Sequence, residues 1–314
     1  MSIIYNIIFI PIVTYIMFPL SLITLIFPIL DEFYFLLINL FESSSLLARG
    51  INFFEITISK PNIIFLTIYY VSFYLSIKVN KKIIIIYFVV LFLNINSNLF
   101  IRNSEVIFFD VSQGDSEIII FPKGKTVVID TGGNKNYSIS SKITIPYLSS
   151  RGLSKIDSLV LSHGDYDHMG EVINLVNNFK VDKVIFNCGE FNELEQDLIK
   201  VLVKKKIKYY SCIKELNIDN NKLYFLNNED YENENDNSSV IYTELNNHKF
   251  LFMGDAGVEV EEDLIEKYNL QDIDVLKVGH HGSKTSSSEN FIDEINPKHS
   301  IISVGKNNRY GHPN

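Results

Sequence analysis

The chain has 314 residues, a formal net charge of −9 and 46% apolar side chains. Its first 100 residues carry five basic and four acidic side chains, leaving −10 on the remainder, which speaks against a general nucleic-acid-binding surface. Apolar residues concentrate in the N-terminal third, so the chain does not read as one uniformly soluble domain.

Met1 to Leu30 contains no charged residue, more than the roughly 20 apolar residues that a membrane-crossing helix needs. It lacks the basic start and small-residue cleavage site of a secretory signal, so it reads as a retained membrane segment. Pro11, Pro19 and Pro28 lie within it, and helix-breaking prolines in a bilayer suit an assembly of several helices. Asp31 to Lys60 has apolar clusters at Phe33 to Leu40 and at Leu46, Leu47, Ile51, Phe53 and Phe54, fitting either an interfacial helix or an extramembrane loop. The runs Ile63 to Ile77 and Ile83 to Ile95 are short for spans and are expected to cross with Lys78, Lys81 and Lys82 snorkelling. Those lysines mark their turn as cytoplasmic, which places the chain from about Ile101 outside the cytoplasm. The expected division is therefore 1–101 as membrane helices and 102–314 as a soluble domain.

In that domain the period shortens. Strands are predicted over Val106 to Val111, Glu117 to Phe121, Thr126 to Ile129, Leu159 to Leu161 and Lys183 to Phe186, with a helix over Glu171 to Phe179. Lys204, Lys205, Lys206 and Lys208, followed by Tyr209 and Tyr210, read as a solvated helix end running into a strand, a phosphate- and base-binding patch being the alternative. After a polar loop at Asn227 to Asn237 come strands at Val240 to Leu245, Lys249 to Met253, Asp274 to Val278 and Ser300 to Val304, with helices over Glu259 to Tyr268 and Ser288 to Ile295. Two such mixed halves packed sheet on sheet, helices outside, give a four-layer α/β sandwich. Cys188 and Cys212 are the only cysteines and read as two unpaired buried thiols in preference to a disulfide.

Ser162-His163-Gly164-Asp165-Tyr166-Asp167-His168 follows an apolar strand and packs four potential metal ligands into six positions. Open α/β sheets place ligands at such strand ends. His163 with Asp165 could hold one cation, and Asp167 with His168 a second. Asp255 and the pair His280 and His281 also follow apolar strands, making Asp255 a candidate bridging carboxylate. Two cations sharing a water would activate it for an in-line displacement. Gln113-Gly114-Asp115 can be a hairpin turn, and Ser283 with Lys284 to Ser288 can be a helix N-terminus or a phosphate donor set.

Together these residues resemble the metallo-β-lactamase superfamily, whose hallmark H-x-H-x-D-H here carries Asp165 in place of the second His. Phe109 to Ser116, Asp130-Thr131-Gly132-Gly133, Gly254-Asp255 and Lys277 to Ser283 are similar to the ComEC family of competence DNA-uptake channels, which also places apolar helices before this domain. The resemblance implies N-terminal transmembrane helices followed by a metallo-β-lactamase-like four-layer αββα sandwich. Because the family reads on beyond Arg309 to Asn314, it also implies a C-terminally truncated chain. It implies two divalent metal ions, manganese or zinc, on His163, Asp165, Asp167, His168, Asp255 and His281, with His280 a ligand or a substrate-facing donor. Asp255, His280 and Asp115 are the catalytic candidates, and Asp130 braces the His163 loop. Asn237-Ser238-Ser239 stands where the superfamily has its third His. The first site lacks that imidazole, so two unequal affinities are expected, and the extra carboxylate shifts preference toward manganese. Implied partners are single-stranded DNA, membrane lipid and the remaining competence machinery. A nuclease serving DNA uptake is the leading expectation, ahead of a tethered hydrolase of another ester and an inactive channel remnant.

Overall fold

The structure is a computed structural model and describes residues 2–50, 57–306 and 308–314. The chain divides into two compact units, 1–56 and 57–314. In the first, helix α1 (Ser2–Ile12) passes through a π turn at Val13–Met17 into α2 (Phe18–Ile26), and a turn at Pro28–Leu30 leads to α3 (Asp31–Gly50). The π turn sits between Pro11 and Pro19, the two positions at which a ring nitrogen can donate no helix bond. Asn6–Ile26 is long and apolar enough to cross a membrane. Of the expected interfacial segment, Ile51, Phe53 and Phe54 lie outside the described residues.

The second unit begins with a helical hairpin of α4 (Ile63–Lys78) and α5 (Ile84–Ile95). Asn62 caps α4 by accepting from the Phe65 N–H at 3.0 Å, and Asn80 starts the tight turn between the helices by accepting from the Lys82 N–H at 2.9 Å. Tyr69 packs on Tyr87 with ring centroids 5.3 Å apart. Below them, the Ser59 hydroxyl lies 2.8 Å from the Asn94 side-chain oxygen, and the Lys60 N–H donates to the Ser150 carbonyl at 2.7 Å, tying the hairpin to the domain that follows.

That domain contains β1 (Glu105–Phe108), β2 (Glu117–Ile120), β3 (Thr126–Ile129), β4 (Lys155–Ile156), β5 (Ser158–Val160), β6 (Lys180–Val181), β7 (Lys183–Phe186) and β8 (Lys208–Ser211) in its first half. The second half contains β9 (Glu215–Ile218), β10 (Asn221–Phe225), β11 (Ile241–Leu245), β12 (His248–Phe252), β13 (Val275–Lys277) and β14 (His299–Ile301). One sheet runs β1-β2-β3-β5-β7-β8 and the other β14-β13-β12-β11-β10-β9, with β4 and β6 pairing separately. Each sheet is antiparallel at one end and parallel at the other, through β3-β5-β7-β8 and through β12-β13-β14.

Alternation of side chains across the strands builds three apolar layers. Ile119, Phe121, Val127 and Ile129 face Ile241, Leu245 and Phe252 between the sheets. Ile118, Ile120 and Val128 point the other way, toward Leu175, Leu198 and Leu202 of the outer helices. Leu251 and Met253 meet Val260, Leu264 and Phe291 on the opposite outer face. The result is an αββα sandwich.

One expectation is corrected. Cys188 and Cys212 form a disulfide. They follow the C-terminal ends of the neighbouring parallel strands β7 and β8, and this adjacency brings together two thiols that sequence distance kept apart. The lysine cluster divides between the last turn of the helix Glu193–Lys205, its left-handed cap Lys206 and the start of β8.

Candidate metal centre

Loops leaving the C-terminal ends of β3, β5, β12 and β13, together with the β1–β2 connection, converge on one spot between the two sheets. Asp130 ends β3 with a φ of 54°. Its Oδ1 accepts from the Ser162 N–H at 2.7 Å and its Oδ2 from the Ser162 hydroxyl at 2.6 Å. The same Oδ2 lies 2.9 Å from His168 Nδ1, so the proton sits on Nδ1 and His168 Nε2 faces inward. Ser162 Oγ is also 3.0 Å from His163 Nδ1. One buried carboxylate thereby fixes the loop that carries both histidines.

Two glycines allow neighbouring backbones to close on that loop. A Cβ at Gly114 would stand 2.1 Å from the Asp167 carbonyl oxygen, and one at Gly133 would stand 1.9 Å from that of Tyr166. Asp115, next to Gly114, is pulled inward and is buried. Its Oδ2 accepts from the Lys277 ammonium at 2.6 Å, and its Oδ1 lies 3.5 Å from His281 Nδ1.

From the second sheet, Asp255 follows β12, and its N–H donates to Ser238 Oγ at 3.0 Å. Ser238 is fully buried in the turn where the superfamily pattern would put a histidine. Asp255 Oδ1 lies 3.1 Å from His168 Nε2, and its Oδ2 lies 3.6 Å from His281 Nε2 and 4.0 Å from His163 Nε2. His281 donates from Nδ1 to the Ser303 carbonyl at 2.9 Å, which turns its Nε2 to within 3.3 Å of Asp167 Oδ2. His280 and His281 both adopt left-handed φ, 46° and 53°, and this sharp turn sends adjacent side chains to different places. His280 is on the rim, its side chain 27% exposed and its Nε2 4.0 Å from Asp255. Its Nδ1 lies 3.0 Å from the Thr285 hydroxyl. Asp165 is the more open carboxylate of the loop, 46% exposed and 3.6 Å from His163 Nε2. Asp110 lies apart, accepting from the Ser112 N–H in its own turn, and Ser283 hydrogen-bonds with Thr285.

Five buried atoms in this cluster lack a well-aligned hydrogen bond: the Nε2 atoms of His163, His168 and His281, Asp255 Oδ1 and Asp115 Oδ1, the contact between His168 Nε2 and Asp255 Oδ1 being a charge pairing only. Leaving one such group unpaired costs about 1–3 kcal/mol, so five at one point call for a shared partner. Asp115, His168, Asp255 and His281 each offer an atom within 4.8 Å of the others. Imidazole nitrogens and carboxylate oxygens are the donors that zinc and manganese accept. The residues present therefore fit divalent cations.

The charges point the same way. Burial opposes a charge on His168, but the Asp255 and Asp130 carboxylates outweigh it and raise its pKa well above the ordinary value. Burial likewise opposes His281, whose contacts with Asp115 and Asp167 push it up to about 10. Asp255 is held well below the usual carboxylate range despite its burial, by His168, His163 and His281. The cluster is an anionic pocket that recruits positive charge.

Sequence reasoning missed Lys277 and Glu117. Lys277 is 1% exposed at the C-terminal end of the parallel strand β13, and its partner Asp115 is 162 residues away. Glu117 is buried beside it, and burial together with the nearby Asp115 charge raises its pKa well above the ordinary value. A lysine flanked by Leu276 and Val278 in a doubly covered strand was the available signal.

Residues 111–306 match the metallo-beta-lactamase superfamily. ComE operon protein 3 of Bacillus subtilis (strain 168) is 34% identical over 227 residues, covering 67% of this chain and 29% of that protein. Recombination protein 2 of Haemophilus influenzae is 30% identical over 65% of this chain and 24% of its own length, and Competence protein ComA of Neisseria gonorrhoeae 29% identical over 68% and 28%. The chain thus spans less than a third of each of these relatives. Among solved structures, a diphosphatase of the PhnP family aligns over 62% of this chain and 74% of its own, with 14% identity and a TM-score of 0.37. YhfI of Bacillus subtilis aligns over 62% and 80%, with 11% identity and a TM-score of 0.41. These structural likenesses are too loose to bear on chemistry. The match across the sandwich and its strand-end loops makes this chain a member of the metallo-beta-lactamase superfamily, with competence proteins among its relatives.

Proposed function

We propose that the chain is a membrane-anchored two-metal hydrolase that cleaves phosphodiester bonds of single-stranded DNA in connection with DNA uptake. The convergence of unpartnered buried imidazoles and carboxylates carries the hydrolase reading, and the kinship with competence proteins supports the substrate. His163, Asp165 and Asp255 would hold one cation, and Asp167, His168, Asp255 and His281 the other. Bound there, the two ions would lower the pKa of a water and offset the charge of a phosphate.

The chain's own residues do the positioning. Asp130 and the Ser303 carbonyl fix the tautomers of His168 and His281, and Lys277 anchors the Asp115 carboxylate that abuts His281. Burial keeps the pKa of His280 below its ordinary value, so its ring on the rim is neutral and suited to donate a hydrogen bond to a phosphate oxygen. Asp255 and Asp115 complete the catalytic set, Asp255 by bridging and Asp115 by orientation.

We assign 1–101 to the membrane region, with Asn6–Ile26 as anchor and α4 and α5 as further spans, and 102–314 to the catalytic domain. The Cys188–Cys212 disulfide fits an extracytoplasmic domain, since disulfides persist in oxidising compartments. Partners would be single-stranded DNA, lipid and other competence components. The net charge of −10 outside the first 100 residues favours a second reading, a tethered hydrolase of a smaller phosphoester.

Incubation of the purified chain with labelled single-stranded DNA and Mn²⁺, beside His163→Ala, tests this. Cleavage by the wild type and its loss in the variant is expected. Equal cleavage by both, or turnover of small esters only, overturns the DNA reading.

A further inference from the structure

We infer that the groove beside Asp167 binds the nucleotide flanking the scissile phosphate, stacking its base on tyrosine and placing its phosphate between Lys135 and Arg309. The inference rests on the hydrolase reading above. The groove encloses about 570 Å³ and is lined by Gln113, Lys135, Tyr166, Asp167, Arg309 and Tyr310 among others. That is a volume suited to a nucleotide-sized ligand, within the roughly 300–1,000 Å³ of small-molecule sites. One wall, Asp167, is shared with the metal centre, where its Oδ2 lies 3.3 Å from His281 Nε2. An occupant of the groove is therefore in covalent reach of a phosphate at that centre.

The walls supply two kinds of contact. Tyr166 and Tyr310 are 41% and 53% exposed, large rings beside a buried centre. Lys135 Nζ stands 5.8 Å from the Tyr166 centroid, and the Arg309 guanidinium 4.8 Å from that of Tyr310. Among the described residues neither cation forms a salt bridge, and Arg309 Nη2 donates to the Tyr310 hydroxyl at 2.6 Å. Rings flanked by cations that no carboxylate neutralises match a base followed by a phosphate, and stacking of this kind tolerates any sequence.

The groove is also built rather than incidental. Tyr310 stacks on His312 at 5.7 Å, and His312 meets His280 at 6.0 Å, so an aromatic row runs from the groove to the rim histidine. Asn308 fixes the turn by accepting from the Tyr310 and His312 N–H groups, each at 3.1 Å. The Asn314 N–H donates to the Gly282 carbonyl at 2.9 Å, returning the segment to the His281 loop. On the other side, the Gly305 N–H donates to Gln113 Oε1 at 3.3 Å.

The test compares kcat/KM for a fluorescein-labelled oligothymidylate with that for bis(p-nitrophenyl) phosphate, which has no base, using the full chain with Mn²⁺. In Arg309→Ala and Tyr310→Ala the ratio should fall about tenfold, the scale of one lost stacking contact, and Tyr310→Phe should restore it. A ratio within about twofold of wild type in both alanine variants overturns the inference, as does a loss in Tyr310→Phe equal to that in Tyr310→Ala. Should the wild type hydrolyse neither substrate, the hydrolase reading fails on its own. Oligothymidylate anisotropy then decides the groove: weaker binding by the alanine variants supports it, and equal binding overturns it.

Discussion

The two sides of the candidate metal centre are built to different standards. On the His168–His281 side every imidazole is buried and locked through its far nitrogen, by Asp130 in one case and the Ser303 carbonyl in the other. On the His163–Asp165 side the carboxylate is 46% exposed, and the imidazole leans on a single serine hydroxyl. Outer partners that fix ring orientation raise affinity, so the braced side should hold its cation more tightly. The Ser238 turn deepens the difference, because it spends its hydroxyl on the Asp255 N–H and offers no imidazole to the weaker side.

Asp255 touches both sides and should show the largest effect. Asp255→Ala is expected to lower the Mn²⁺-dependent phosphodiesterase rate by more than about 100-fold, beyond what loss of an outer partner produces. A smaller loss than in Asp165→Ala would remove Asp255 from the bridging position. Next, Asp130→Asn should weaken the tighter ion by about 10–100-fold while leaving the weaker one within a few-fold, as read by metal titration. Asp165→Ala should do the reverse, reducing bound metal from two ions to one with little effect on the tight step. If both substitutions weakened both ions equally, the two sides would not be distinct.

The smallest effect is a pH trend in the chelated protein. His168 and His281 have raised pKa values in the fold, His281 to about 10, against about 6.5 when unfolded. Their contribution is fully present below about pH 6.5 and is lost as pH rises through the folded values. Asp255, depressed in the fold, contributes above about pH 3.9 and loses that contribution as pH falls. Thermal unfolding in EDTA should thus show stability declining from mildly acidic to alkaline pH, and Mn²⁺ should flatten the decline by replacing the protons. A chelated protein that gained stability toward pH 9 would contradict the charge assignment.

The His163–His168 loop was legible because four ligand-type side chains in six positions after an apolar strand have few other uses. Asp255 and the late histidines were legible once that loop had set the pattern. The different placement of His280 and His281 was not, since it depends on two consecutive left-handed residues that no spacing rule signals. Lys277 was hidden because a lysine in a strand reads as solvent-facing until the other sheet covers it. The strands β9 and β10 escaped, and β8 was legible only as a strand following a helix end, for a related reason. Lys208 to Ser211 is exposed throughout, so edge position and not apolar alternation defines it. The disulfide depended on which strands are neighbours, a property of topology.

Calorimetric titration of the metal-free chain with Mn²⁺ tests the central claim most directly. Two ions binding in separate steps, with dissociation constants at least about tenfold apart and protons released on binding, is the outcome expected here. No binding, a single ion, or two ions of equal affinity would contradict it.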